Sequence, residues 1–115
     1  MHKLFAIAVA LAAVPTLAWA DGSADKGKAV FTQFCATCHG NIGKGDGPGA
    51  QALNPKPRDL TDKAYLAGLK NDYLTNVIKK GGPAVGKSAL MPPWGASLKD
   101  GDVEDVIAYL RVLSK

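Results

Sequence analysis

The sequence predicts a small all-α domain whose long loops wrap around something that is not polypeptide. Three observations predict it. Apolar residues recur at helical spacing in three separate segments. No stretch alternates convincingly at period two, and glycine- and proline-rich runs separate the helical segments. Loops of that length are unusual in a chain of 115 residues unless they enclose a ligand. A domain this small buries a modest fraction of its surface and commonly needs a staple, a metal or a cofactor.

The first residues are not expected to join the fold. Met1-His2-Lys3 is a short basic start, Leu4 to Val14 is an unbroken apolar run, and Ala18-Trp19-Ala20 places small residues at a signal-peptidase site. Residues 1–20 therefore read as a cleavable secretory signal, cut before Asp21, with residues 21–115 as a single soluble domain in the periplasm. Left uncleaved, Leu4 to Ala20 is at the short limit for spanning a bilayer and would tether the chain to a membrane. Cleavage takes Lys3 away, so the basic count falls from 14 to 13 against 10 acidic residues. It also leaves one histidine, His39, one methionine, Met91, and two cysteines, Cys35 and Cys38.

The first helix is expected from Ser23, a plausible N-cap, to Cys38, with Val30, Phe31, Phe34 and Cys35 at helical spacing. Gly27, one turn before Phe31, costs helix stability and so implies close approach of another backbone. Residues 40–59 carry too much glycine and proline for a helix. A short helical turn is expected between Thr61 and Leu69, and a helix from Asn71 to Lys80, capped by Asn71 and stopped by Gly81-Gly82-Pro83. A loop carrying Met91-Pro92-Pro93-Trp94 follows. The last helix starts near Asp100 or Asp102, with acidic residues at its positive end and Val103, Val106, Ile107, Leu110 and Leu113 as its apolar stripe.

Cys35-Ala36-Thr37-Cys38-His39 has the C-x-x-C-H spacing of haem c attachment. On a helical turn, cysteines three apart face one side, where two thiols can reach neighbouring vinyl groups of a porphyrin. His39 then lies near the ring centre as a proximal iron ligand. Other uses of the pair fit less well. A thioredoxin-like redox pair needs a βαβ context, a structural zinc site needs a second ligand pair, and a Cys35–Cys38 disulfide closes too small a loop to stabilise much.

With these residues in place the chain resembles the class I cytochromes c over nearly all of residues 21–115. The resemblance rests on the helix leading into Cys35–His39, the late Met91-Pro92 loop and the final Ile107-Ala108-Tyr109-Leu110-Arg111 segment. It implies the small cytochrome c fold around one covalent haem. It also implies Met91 as second axial ligand and a crossing of first and last helices at Gly27 and Phe31 against Tyr109 and Leu110. It further implies a proline carbonyl behind His39 (Pro57, with Pro48 as competitor across the Gly43–Pro48 insertion) and Leu60 against the haem. Independently of the resemblance, His39 is the lone histidine of residues 21–115, so the sixth ligand is Met91, a deprotonated lysine or no side chain. The thioether is soft and available at neutral pH, which favours it. A core methionine filling a gap is the other reading of Met91. Arg58 and Trp94 are candidate partners for haem propionates, against a solvated charge for Arg58 and a ring packed on the haem for Trp94.

Residues 40–99 hold nine basic and four acidic side chains, residues 100–115 two and four. A basic middle suits protein redox partners with acidic docking surfaces. Nucleic acid has no support. The expected function is an exported, single-haem electron carrier cycling between Fe(III) and Fe(II) with His39 and Met91 on the metal, and not an enzyme. The alternatives are a dedicated cytochrome subunit of a larger exported oxidoreductase, which the Gly-Asp-Gly-Pro insertion resembles, and a ligand-binding or catalytic haem protein with Met91 displaced.

Overall fold

The computed structural model describes residues 4–12 and 22–115. The expected cleavage site at Ala20 lies outside the described residues. Residues 4–12 form no helix, and Leu4, Phe5, Ile7, Val9 and Leu11 are exposed. Among the described residues no helix is long and apolar enough to cross a membrane.

Five α-helices and no strand occur among the described residues: α1 Ala24–Phe34, α2 Ala36–His39, α3 Lys63–Ala67, α4 Asn71–Lys80 and α5 Asp100–Leu113. Single 3₁₀ turns at Ala50–Ala52 and Gly82–Val85 punctuate the two long loops.

Ser23 caps α1 as expected, its side chain accepting from the Lys26 N–H. The helix expected to reach Cys38 instead breaks at Cys35, whose φ of −112° departs from helical geometry. The break separates the packing helix from the short turn that presents the cysteines. Helix α4 has the expected bounds, but Lys70 and not Asn71 is its N-cap. The Asn71 side chain is used elsewhere: its Oδ1 accepts from Arg111 Nη2 at 2.8 Å. Helix α3 is capped by Asp62, which accepts the Tyr65 N–H at 3.0 Å.

Helices α1 and α5 form the main packing pair. A Cβ on Gly27 would stand 1.8 Å from the Asp105 carbonyl oxygen and 3.0 Å from the Tyr109 Cβ, so glycine is what lets the backbones touch. One turn later Phe31 meets Tyr109 edge-on, ring centroids 5.3 Å apart. Phe31, Leu66, Leu74, Ile78, Val103, Val106, Ile107 and Leu110 make the buried core around this crossing. Arg111 ties the remaining helices to α5. Its guanidinium donates to the Leu66 and Leu69 carbonyls at the end of α3 as well as to Asn71. One α5 side chain thus bonds the Leu69 carbonyl and adds a second donor to the Leu66 carbonyl, which already accepts the Leu69 N–H at 3.1 Å.

Candidate functional site

The cysteine turn is held from below by the loop that follows it. Cys38 and His39 N–H groups both donate to the Cys35 carbonyl, winding α2, and Gly40 ends the turn at φ 85°. The chain then runs back along its own carbonyls. Gly43, Gly45, Gly47 and Gly49 donate their N–H groups to the carbonyls of Gly40, His39, Cys38 and Thr37 in turn, at 3.1, 2.8, 3.2 and 2.8 Å. Every second residue of this stretch is glycine, and each secures the next carbonyl back, from Gly40 at the end of the turn through the last three residues of α2. These are the acceptors a helix C-terminus leaves open, and here the chain itself fills them. The Leu60 N–H donates to the Gly43 carbonyl at 2.6 Å, which sews the Pro57–Leu60 segment onto the same stretch.

The methionine loop is anchored at the end of α4 by the same means. Trp94 and Gly95 N–H groups donate to the Ile78 and Lys79 carbonyls at 3.0 and 3.1 Å. The Met91 carbonyl accepts from Gly82 at 3.1 Å, and the Met91 N–H donates to the Ser88 carbonyl at 3.2 Å. Both backbone groups of Met91 are therefore fixed, leaving its side chain to the interior.

Between the two loops lies a chamber in three parts. One part, walled by Leu53, Pro57, Leu60, Tyr65 and Tyr73, opens to solvent. His39 and Met91 are the two residues that border all three parts. Cys35 and Cys38 flank one part, with Phe34, Leu53, Pro92 and Trp94. Trp94 packs edge-on against Phe34 with centroids 5.5 Å apart, so its ring sits at the cysteine end. Arg58 borders a different part, with Pro57, Leu60, Lys56, Tyr65, Tyr73 and Lys87, and stacks on the Tyr65 ring 3.9 Å from its centroid. The chamber thus separates Trp94 from Arg58. Pro57 joins His39 along its wall, whereas Pro48 is exposed and borders none of the three parts.

Sequence reasoning missed Leu53, Tyr65, Tyr73, Val77 and Lys87 as chamber residues. The two tyrosines fall on the predicted helices, but their facing depends on how α3 and α4 dock. Lys87 comes from an irregular loop that carries no periodic signal.

The donor chemistry fits a covalently held haem. Both cysteines are free and half-buried. Burial, reinforced by the neighbouring Cys38, pushes the Cys35 thiol up to about 11, so it is a neutral thiol and not the activated thiolate of a redox pair. Burial also lowers the pKa of His39, leaving its imidazole an uncharged nitrogen donor at neutral pH. Its Nδ1 is buried without a hydrogen-bond partner, which neither the Pro57 nor the Pro48 carbonyl supplies in this structure. An uncharged imidazole, a thioether and two thiols around one chamber are the donor set that a covalently held haem needs.

Comparison with known proteins agrees. Residues 22–110 match the family described as cytochrome C oxidase, cbb3-type, subunit III. Cytochrome c-554(547) of Halothiobacillus neapolitanus is 34% identical over 95 residues, covering 80% of this chain and 98% of that protein. The cbb3-type cytochrome c oxidase subunit FixP of Azorhizobium caulinodans is 33% identical over 91 residues, covering 79% of this chain. The chain spans 27% of that subunit's length. Among solved structures, the KustC0563 c-type cytochrome superposes with a TM-score of 0.61 at 25% identity, covering 77% of this chain and 98% of that one. The chain therefore belongs to this family of c-type cytochromes, of class I, with covalently bound haem c and a fold that is helical among the described residues.

Proposed function

We propose that the chain is an exported single-haem electron carrier, with Cys35 and Cys38 forming the thioethers and His39 and Met91 the axial ligands. The observation that carries this reading is the shared position of His39 and Met91 on every part of the chamber, with both cysteines on one flank. When bound, the haem supplies a reversible one-electron couple, and His/Met ligation favours a high reduction potential.

The protein's own residues orient and shield. Two anchored loops present the ligands, and the two backbone bonds of Met91 hold its thioether in reach without freezing it. Leu53, Leu60, Leu74 and Val77 exclude water from the chamber walls. Pro57 and Leu60 line the chamber beside His39, Arg58 would face the propionate end, and Trp94 would pack the thioether end. With His39 and Met91 both holding the iron, the haem would have no free position for a substrate, and the chain would exchange electrons with protein partners and not act as a catalyst. Residues 1–20 act as the export signal.

An absorption spectrum of the exported protein tests the assignment. A sharp reduced α band of c type with a weak far-red band in the oxidised form is expected. In Met91→Ala the far-red band disappears and the reduced protein binds carbon monoxide at neutral pH. A far-red band that survives this substitution removes Met91 from the iron.

A second reading, a haem module of a larger oxidoreductase, is favoured by the likeness to FixP, whose name marks it as an oxidase subunit. Extraction of the native protein distinguishes the two. A shuttle elutes alone at the mass of residues 21–115, whereas a module co-elutes with other chains.

A further inference from the structure

The backbone of Met91 is seated on two glycines and a serine. The Gly82 N–H donates to the Met91 carbonyl at 3.1 Å, and the Gly82 carbonyl accepts the Lys87 N–H at 2.9 Å. The α-carbon of Gly82 lies against Ser88, and a Cβ there would overlap the Ser88 carbonyl oxygen. That oxygen is the one that accepts the Met91 N–H at 3.2 Å. Gly82 therefore meets both peptide groups that hold Met91, one by a hydrogen bond and the other by close packing. Gly81 packs on the same segment: a Cβ on it would be 2.7 Å from the Met91 carbonyl oxygen and 3.1 Å from the Pro93 nitrogen. Ser88 is buried and borders the chamber beside Met91, and its Oγ accepts the Leu90 N–H at 3.2 Å.

Turn geometry does not demand a glycine at position 82. Gly81 and Gly86 have positive φ, of 86° and 71°, but Gly82 between them does not, so only the nearness of Ser88 excludes a side chain there. We infer that Gly82 is a positioning residue for the methionine ligand: its contact with Ser88 sets how seldom Met91 leaves the iron, and so keeps small exogenous ligands out. This rests on the Met91 assignment proposed above. A competing nitrogen donor binds in proportion to the population in which the thioether is off the metal. A methyl group at position 82 displaces the Ser88 carbonyl, lengthens its bond to the Met91 N–H and raises that population. The seat thereby holds the chain to electron transfer and away from ligand binding.

The test is imidazole binding to the oxidised, haem-loaded protein, read as loss of the far-red band, in Gly82→Ala with Gly86→Ala as control. Gly86 follows the 3₁₀ turn that Gly82 begins, and a Cβ on it would meet nothing within 4 Å, so alanine there strains the backbone without touching the seat. Both variants are expected to lose thermal stability. Gly82→Ala alone is expected to bind imidazole roughly tenfold more tightly, the equivalent of one lost backbone bond. Imidazole affinity unchanged in Gly82→Ala overturns the inference. An equal gain in Gly86→Ala also overturns it, because the effect is then general loosening of the loop. Should Gly82→Ala fail to fold, Ser88→Ala decides. Loss of the Leu90 bond is expected to tighten imidazole binding about threefold, and unchanged affinity overturns the inference. A far-red band that survives Met91→Ala overturns the ligand assignment and this inference together, whereas a band lost in Met91→Ala beside an unchanged Gly82→Ala overturns the inference alone.

Discussion

The α-carbon of Gly27 lies against the carbonyl of Asp105, so close that a Cβ there would stand 1.8 Å from its oxygen. This contact sets the distance between α1 and α5, and with it the place of everything α1 carries into the cysteine turn. The Ser23 N–H, at the start of the same helix, donates to Asp105 Oδ1 at 2.7 Å, so one aspartate holds α1 through both its backbone and its carboxylate.

Gly27→Ala is expected to force the helices apart at a cost of about 1–3 kcal/mol, typical of overpacking. Thermal unfolding of the haem-loaded protein should fall by roughly 4–8 °C per kcal/mol. Gly101→Ala is the control, because it sits on α5 and a methyl group there would meet nothing within 4 Å. It should be neutral or slightly stabilising.

Arg111→Met removes the donors of the Leu66 and Leu69 carbonyls while keeping most of the side-chain volume. The loss expected is about 1–3 kcal/mol, the cost of leaving the part-buried Leu69 carbonyl unpaired, since the Leu66 carbonyl keeps the Leu69 N–H. Arg111→Lys should recover less than half of it, because a single ammonium cannot reproduce the forked guanidinium contacts. Denaturant unfolding of the three proteins gives the ranking.

Arg58→Gln removes a positive charge at the chamber edge. A cation near the iron favours the state with one more electron, so the reduction potential is expected to fall. Because Arg58 is exposed, the shift should shrink as ionic strength rises. A potentiometric titration at two salt concentrations checks both the sign and the screening.

Asp59 should titrate below the ordinary carboxylate range. Its carboxylate accepts the Thr61 hydroxyl at 2.6 Å and the Thr61 N–H at 2.9 Å, with the charge of Lys44 adding to the effect. A carboxylate depressed in the folded state contributes stability above its unfolded pKa and loses it as the pH falls through the folded value. Thr61→Val removes the hydroxyl bond, the largest cause, and should move the Asp59 midpoint upward. Carboxyl NMR against pH measures it directly.

How far this molecule is legible in its sequence depends on whether local chemistry or docking decides each feature. Helix α4 is readable end to end because Leu74, Val77 and Ile78 give it one face and Gly81 stops it. Gly27 is readable because a glycine inside a helix needs a reason outside it. Cys35, Cys38 and His39 announce themselves by spacing alone. The break at Cys35 is not readable, since residues 23–39 keep a helical pattern across it while the backbone geometry departs from the helix. Asn71 has the side chain of a cap, but Arg111, forty residues away, takes its oxygen. The alternation of Gly43, Gly45, Gly47 and Gly49 marks a loop in the sequence, yet its use as a run of donors appears only once α2 is in place to accept from it.

That run of donors changes what counts as the haem-attachment unit. Five residues carry the chemistry, but the shape of their turn is maintained by chain arriving up to Gly49. Grafting Cys35–His39 alone onto another helix therefore transfers the reactive groups without the framework that holds them. The portable module is the continuous segment Cys35–Gly49, and a synthetic haem peptide cut after Gly49 should keep the turn that one cut after His39 loses.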